Sequence, residues 1–252
     1  MVLAGLVAIR MDAQSVLFNF DNAPVYTPLP IYLTAGGITA HFTATGAGYS
    51  VQSVTTATVV PAGFSGNFIF PSSVFASDLL VSFSTPLIDF SILYAPQELA
   101  CDSSATMRVT AFMNTTLVGT AITNAQAGTW PRETLRFNST QGFNNVVVHY
   151  DKPPVTGGDY GTIFLAENML VTPPPPPIIL NRASVLGNGT FQLTLTNSPA
   201  MTFTVMGSTN LALALTNWYV LGTFTEISPG SYQFADLQAT NRTRCYYRVR
   251  SP

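Results

Sequence analysis

The sequence predicts an all-β protein of two modules, a jelly-roll β-sandwich followed by a small immunoglobulin- or fibronectin-III-like β-sandwich. Three observations predict this fold class. Charged residues make up only 9% of the 252 residues, too few to cover many exposed helix faces, while apolar residues make up 47%. Short runs rich in β-branched and aromatic residues alternate with the period of a strand. Five consecutive prolines, residues 173–177, then divide the chain.

The first module is predicted to contain many short antiparallel strands. No stretch keeps the apolar i, i+3, i+4, i+7 spacing long enough for a helix. Turn residues cluster in the connecting pieces TAGG, TGAG, PAGFSGN, NAQAGTWPRE and KPPVTGGDYG. The strands are expected in SVLFNF, ITAHFTAT, LLVSFS, LIDFSILY, ATMRVTAFM, TLVGTAIT, NNVVVHY and GTIFLAENMLVT.

The pentaproline segment predicts the boundary between the modules. Proline has no backbone N–H and a fixed φ, so five in a row cannot enter a sheet ladder or a helix. They adopt polyproline II, which acts as a semi-rigid spacer. We therefore assign residues 15–172 to the first module, 173–177 to a linker and 178–252 to the second module. A proline-reading partner such as an SH3 domain is the alternative, but no other feature indicates the intracellular signalling context that it needs.

The second module has its own set of predicted strands, enough for a small sandwich. They are SVLG, TFQLTLTN, MTFTVMGST, NWYVLGTF, SYQFADL and CYYRVRSP. The pieces STNLA, NWYVLGT, SYQFADLQATN and YYRVRSP resemble a small C-terminal β-domain of large secreted bacterial proteins, notably those of Verrucomicrobia. The resemblance implies an accessory or anchoring role without catalytic residues. Trp218 is expected in the core, and Arg248 and Arg250 are expected to face solvent at an edge.

The N-terminal run MVLAGLVAI, within residues 1–14, favours secretion. It is consistent with the end of a truncated signal segment, and a first strand or residues added for expression are the alternatives. The run is too short to span a bilayer as a helix, and no later stretch qualifies. The low-charge, threonine-rich composition also indicates an extracellular or cell-surface location.

Charge and cysteine content exclude several classes of partner. The net charge is −2 and basic residues form no cluster, which argues against nucleic acid and against electrostatic docking on an anionic membrane. The two cysteines, Cys101 and Cys245, match no metal-ligand spacing. A disulfide between them would tie the two modules together, so two buried free thiols are favoured over a pair.

Two segments at the ends of the first module carry a second resemblance. FNFDNAP (residues 18–24) and FLAENMLVTP (residues 164–173) each place an acidic residue before an asparagine. Together they resemble carbohydrate-binding modules and other galactose-binding-like jelly rolls. That resemblance implies neighbouring first and last strands and a structural calcium ion near them.

Calcium binds six to eight oxygen atoms from carboxylates, amides and carbonyls. The candidate ligands are Asp21, Asp159, Glu167 and Asn168, and nearby glycines would let backbone carbonyls turn inward. The alternative is that Asp21 forms a turn and Glu167 faces solvent. The histidines His41 and His149 have no partners spaced for a zinc site and are expected as polar members of alternating strands.

Exposed aromatic rings are the expected ligand-binding groups of a sandwich module, because they stack on sugar faces. Trp130 is the first candidate, since a Trp next to Pro in a polar loop is hard to place in a core. Arg132 and Glu133 lie beside it, and Tyr160 lies in a glycine-rich loop. The alternative is that these aromatic side chains close the ends of the sandwich.

Three functions follow from these patterns. The first is non-catalytic binding of a polysaccharide or surface glycan, and the second is a self-associating structural subunit of a surface layer, fibre or adhesin. The third is a polysaccharide-degrading enzyme with an accessory domain. The sequence disfavours the third, because no carboxylate pair stands out for glycoside hydrolysis and GFSGN (residues 63–67) is not the GxSxG elbow of hydrolases.

Overall fold

The computed structural model describes residues 14–57, 60–96, 104–127, 132–153 and 162–251. The chain divides into two compact units, with the first spanning Gln14–Pro174 and the second containing Pro175–Pro252. Seventeen strands occur in the described residues, and all their pairings are antiparallel. The all-β prediction is therefore confirmed.

The first unit contains the strands β1 to β10. Alternating residues point inward from both of its layers into a main hydrophobic cluster, whose large members include Phe42, Tyr49, Phe90 and Phe143, and a smaller cluster lies around Phe68. The strands are β1 (Val16–Phe18), β2 (Ile31–Ala35), β3 (Ile38–Ala44), β4 (Tyr49–Ser53), β5 (Asn67–Pro71), β6 (Leu79–Pro96), β7 (Thr106–Met113), β8 (Thr116–Asn124), β9 (Glu133–Lys152) and β10 (Phe164–Thr172).

Two long strands belong to both layers. The first half of β6 pairs with β3 and with the second half of β9, and its second half pairs with β10 and the first half of β9. We call the layer of β2, β3, the first half of β6, the second half of β9, β7 and β8 the front sheet. The register shifts between Ser82 and Leu87, a stretch that contains Pro86, which has no N–H to donate. LLVSFS and LIDFSILY, predicted as two strands, are thus one bent strand.

The first and last strands of this unit are neighbours. Val16 pairs with Val171 and Phe18 pairs with Met169, so β1 lies antiparallel to β10. This seam brings FNFDNAP close to FLAENMLVTP, as the resemblance to jelly-roll modules implies. Three strands of the unit, β2, β4 and β5, were not predicted because each has only five residues beside prolines or glycines.

The second unit contains seven strands in two sheets. Their orders are β11-β12-β16-β15 and β14-β13-β17. The first order matches the A-B-E-D sheet of immunoglobulin-like sandwiches. The second sheet differs from the C-F-G sheet of that fold, because β14 lies beside β13 and not beside β17. The strands are β11 (Ile179–Val185), β12 (Phe191–Thr196), β13 (Thr204–Ser208), β14 (Tyr219–Thr223), β15 (Thr225–Ser228), β16 (Ser231–Asp236) and β17 (Tyr246–Arg250).

The core of the second unit is a separate hydrophobic cluster. It includes Phe191, Phe203, Tyr232 and Tyr247, and it shares no residue with the cluster of the first unit. Every strand pairing found in the described residues stays within one unit, as expected if the prolines cannot join a ladder.

The second unit buries some of its predicted residues and exposes others. Trp218 is 8% exposed and its indole N–H donates to the Leu213 carbonyl, so it is a core residue as expected. Arg250 is exposed, but Arg248 is half-buried. Cys245 is a buried free thiol, while Cys101 lies outside the described residues.

Two short 3-10 turns, Leu215–Asn217 and Ala239–Asn241, are the helical elements of the described residues. Neither these turns nor any other described segment forms a helix of the length and apolarity needed to cross a bilayer.

Candidate functional site

The predicted site residues fall into described and undescribed parts of the chain. Trp130, Tyr160 and Asp159 lie outside the described residues, as do residues 1–13 with the predicted signal segment. Arg132, Glu133, Asp21, Glu167 and Asn168 are described. Glu133 opens β9 opposite Tyr94, and its carboxylate accepts the Thr134 N–H at 2.8 Å.

Glu167 is a buried carboxylate on β10. It is 1% exposed and accepts hydrogen bonds from the Ser65 N–H, at 2.9 Å to Oε2, and from the Ser65 hydroxyl, at 3.1 Å to Oε1. Burial raises the pKa of Glu167, the hydrogen bonds from Ser65 lower it, and the negative charge of Asp21 raises it again. Because its side chain is enclosed, Glu167 cannot reach a substrate and instead anchors residues 61–67.

The backbone after Glu167 explains how the carboxylate reaches inward. The register of β10 against β6 shifts between Glu167 and Leu170, which marks a β-bulge. Asn168 occupies this bulge with φ of 50°, a left-handed conformation that asparagine tolerates better than most residues. The bulge re-aims the side chains at the point where β1 joins β10.

Asp21 holds the other end of the same loop. Its Oδ1 accepts the Asn67 N–H at 2.8 Å, and its Oδ2 accepts the Asn19 side-chain amide at 2.7 Å. The loop can approach this closely because Gly66 has no side chain. A Cβ on Gly66 would lie 2.1 Å from Asp21 Oδ1, and φ at this residue is 62°.

The Gly66→Ala variant is expected to lose about 1–2 kcal/mol of unfolding free energy from the left-handed backbone alone. Displacement of Asp21 adds to this loss. Urea unfolding monitored by far-ultraviolet circular dichroism measures the loss of unfolding free energy, with Gly37→Ala as the matched control. Gly37 also has positive φ, but a Cβ there would meet no atom within 4 Å. Equal losses in the two variants would show that the contact with Asp21 contributes nothing.

Arg132, the residue before β9, also approaches this loop. A Cβ on Gly63 would lie 2.4 Å from Arg132 Nη1, so the guanidinium rests directly on the glycine. Residues 61–67 are thus the common partner of Arg132, Asp21 and Glu167. One predicted ligand-binding residue, Arg132, and two predicted calcium ligands, Asp21 and Glu167, thus contact the same loop, which we call the seam loop.

The described seam residues do not form an open set of metal ligands. The carboxylates of Asp21 and Glu167 are already engaged with N–H and O–H donors of the chain. Within the described residues, no group of three or more His, Cys, Asp and Glu side chains is placed to hold a metal ion. Calcium at the seam therefore depends on Asp159 and stays a prediction.

A second cluster, which sequence analysis did not single out, lies on the solvent side of the front sheet. Tyr32 on β2 is 68% exposed and stacks on His41 of β3, with ring centroids 4.0 Å apart and planes within 5°. The cross-strand register continues this row from His41 to Ser82 and on to Asn145. We call these four residues the aromatic row.

Ionisable side chains lie at one end of the same face. His149 Nδ1 and Asp78 Oδ1 are 2.6 Å apart, and Arg108 Nε donates to Asp151 Oδ1 at 2.9 Å. His149 pairs with Arg108 across β9 and β7. All four side chains are about one-third exposed, so these pairs contribute little to stability but set the polarity of the surface.

The signal for this surface was only partly present in the sequence. The alternation in ITAHFTAT places His41 on a solvent-facing side of its strand, as expected. Its stacking partner could not be found, because IYLTA is too short and too close to Pro28 and Pro30 to be predicted as a strand.

Comparisons with known proteins give no family. No family model matches the chain, and a search of curated proteins found no match. One similar solved structure is the K2 cleaved adhesin domain of Lys-gingipain, at 11% identity and a TM-score of 0.42, covering 63% of this chain and 99% of that one.

Two further structures are more distant. The adhesin domain of Epf from Streptococcus pyogenes has 12% identity and a TM-score of 0.27, covering 91% of this chain and 83% of that one. A GH2 beta-galacturonidase from Eisenbergiella tayi has 10% identity and a TM-score of 0.19, covering 74% of this chain and 36% of that one. Likenesses this distant carry no argument about function.

Proposed function

We propose that this chain is a non-catalytic binding protein of the extracellular space or cell surface, whose first unit recognises glycans. The observation that carries the proposal is the stacked pair of Tyr32 and His41 on the open side of the front sheet. Their rings stand on a rigid scaffold of paired strands, so a ligand would meet them already ordered.

The chemistry of the aromatic row suits a sugar. The C–H face of a pyranose packs on an aromatic ring, and its hydroxyls need neutral donors and acceptors beside that ring. Tyr32 on β2 offers the ring. Beyond His41, the hydroxyl of Ser82 on β6 and the amide of Asn145 on β9 follow in register. Neighbouring strands lie about 4.8 Å apart, so the row extends over about 14 Å, enough for a short stretch of a glycan chain.

The seam loop supports a second contact region of the same function. Arg132 lies exposed on Gly63, and Trp130 and Glu133 flank it in the chain. We propose that Trp130 and Tyr160 stack on the ligand there, with Arg132 and Glu133 hydrogen bonding to its hydroxyls, and that Asp159 contributes to a calcium site. Secretion is part of the proposal, because surface glycans are met outside the cell.

The Tyr32→Ala variant is expected to bind about 5- to 30-fold more weakly than the wild-type protein, since an aromatic anchor contributes on the order of 1–2 kcal/mol. A glycan array identifies the ligand, and retarded migration in gels containing that polysaccharide measures its affinity. Tyr26→Ala is the matched control, because Tyr26 is 66% exposed but lies outside the aromatic row. Trp130→Ala tests the second contact region in the same gels.

The outcomes separate the alternatives. Loss of retardation in Tyr32→Ala alone assigns binding to the aromatic row. Loss of retardation in Trp130→Ala alone assigns binding to the second contact region. A protein that binds no glycan on the array, with or without a calcium chelator, contradicts the proposal. Release of products from a polysaccharide panel would instead indicate the enzyme.

A further inference from the structure

The strand β8 (Thr116–Asn124) forms an outer edge of the front sheet. Among the described residues it pairs with β7 alone, so no described strand pairs with the backbone groups on its other side. It is the longest edge strand of the described chain, with nine residues. Free edges of this length readily pair with another strand.

The other edges are protected in recognisable ways. β4 is covered by the preceding segment through bonds such as Tyr26 N–H to the Val51 carbonyl and Leu29 N–H to the Tyr49 carbonyl. β1 and β2 have only three and five residues. In the second unit, three edge strands carry charged residues: Arg182 in β11, Glu226 in β15, and Arg248 and Arg250 in β17. The fourth edge strand, β14, contains a register shift. Each device is a known barrier to edge pairing.

β8 has none of these charges and no proline. Its sequence TLVGTAITN is rich in residues with high strand propensity. Leu117 is 60% exposed and Ile122 is 58% exposed, so apolar side chains flank the free edge. One register shift occurs at Val118, between the pairs Ala111–Gly119 and Phe112–Leu117, and the residues from Gly119 to Asn124 are regular.

We propose that β8 pairs edge to edge with β8 of a second copy of this chain, which joins two front sheets into one continuous antiparallel sheet. A two-fold axis at Ala121 would place Thr120 of each copy opposite Ile122 of the other. Opposed β-branched residues stabilise antiparallel strands. β8 is suited to itself because it brings no charge to the contact, so two copies meet without repulsion.

The symmetry of this contact limits the assembly. A two-fold interface uses the same edge of both copies, so the pairing closes at a dimer instead of growing into a fibre. The inference is independent of glycan recognition, since the aromatic row lies on β2, β3, β6 and β9 and β8 contributes no residue to it. A dimer would display two aromatic rows and so gain avidity for a repeating glycan.

Sedimentation equilibrium of the full chain, from low micromolar to submillimolar concentration, tests the inference. The wild-type protein is expected to form dimers reversibly, and Ile122→Lys is expected to weaken the association at least tenfold. Thr225→Lys, on the already charged edge strand β15, is the matched control and should associate as the wild type does. Mixing Ile122→Lys with Thr120→Glu should restore association, because the new charges would face each other.

Two results would overturn the inference: a wild-type protein that stays monomeric throughout, or an Ile122→Lys variant that associates as tightly as the wild type. Far-ultraviolet circular dichroism and the melting temperature show whether each variant is folded. If Ile122→Lys does not fold, Thr120→Lys places the same charge on the same edge, and its unchanged dimerisation would equally refute the inference.

Discussion

Replacing Phe203 by alanine is expected to lower the unfolding free energy of the second unit by about 3–5 kcal/mol, the usual cost of truncating a buried phenylalanine. Phe203 is completely buried and lies at the centre of its cluster. Its ring makes edge-to-face contacts with Tyr232, at 4.8 Å, and with Phe224, at 6.3 Å. Alanine would remove both contacts and leave a cavity.

The effect should be confined to one unfolding transition. The two hydrophobic clusters share no residue, and no strand pairing of the described residues crosses from one unit to the other. Calorimetry of the full chain measures both transitions. Phe75→Ala is the control, since Phe75 is 74% exposed and its loss should change neither. A single transition that shifts as a whole in Phe203→Ala would mean that the two units unfold together.

The Glu167→Ala variant is expected to destabilise the first unit by about 2–4 kcal/mol at neutral pH, through a void and through hydrogen-bond donors left without an acceptor. The Ser65 N–H and hydroxyl both donate to this carboxylate inside the protein. Without it, the seam loop loses one of its two anchors. Chemical unfolding of the first unit measures the loss.

Glu167→Gln is the informative partner of this variant. Glutamine keeps an oxygen acceptor for Ser65 and removes the buried charge, so we expect its stability at neutral pH to match or exceed that of the wild type. Glutamine does not titrate, so the variant also shows how much of the pH dependence of stability comes from Glu167.

The sign of that pH dependence follows from the pKa of Glu167, which burial raises above its ordinary value of 4.5. A raised folded-state pKa gives a stabilising contribution that is complete below pH 4.5 and is lost as the pH rises through the folded pKa. The wild-type protein should therefore lose stability relative to Glu167→Gln over this window. A constant difference between the two proteins across that window would contradict the raised pKa.

Calcium binding at the seam can be tested by thermal unfolding. If the ion binds at the seam, adding it raises the melting temperature of the wild-type first unit, and a chelator reverses the rise. Asp159→Asn should abolish the response, because Asp21 and Glu167 are already engaged with donors of the chain and the site depends on Asp159. A melting temperature that does not respond to calcium in the wild-type protein would exclude the ion.

The strand pattern shows what could be predicted from sequence. Long alternating runs such as ATMRVTAFM and TFQLTLTN became β7 and β12, because alternation fits one buried and one exposed face. The continuity of β6 through Pro86 was missed, since its pairing depends on β9 and β10, which are distant in sequence. The strand β15 (Thr225–Ser228) was missed because its four residues are too few to show a clear alternation.

Only part of the candidate site at the seam could be predicted from the sequence. The acidic–asparagine pairs indicated that Asp21 and Glu167 lie near each other, and both contact the seam loop. The sequence did not indicate that Ser65 and Asn67 donate hydrogen bonds to them, or that Arg132 rests on Gly63. Such contacts join segments that are 46 to 102 residues apart, so no local pattern records them.

The sequence by itself determined the all-β fold class, because side-chain alternation is a local property of the chain. The tertiary structure alone decided which carboxylate is buried, which edge stays open at β8 and which ring stacks beside His41. These features depend on the register between distant strands, and a shift of one residue would turn every side chain to the opposite face.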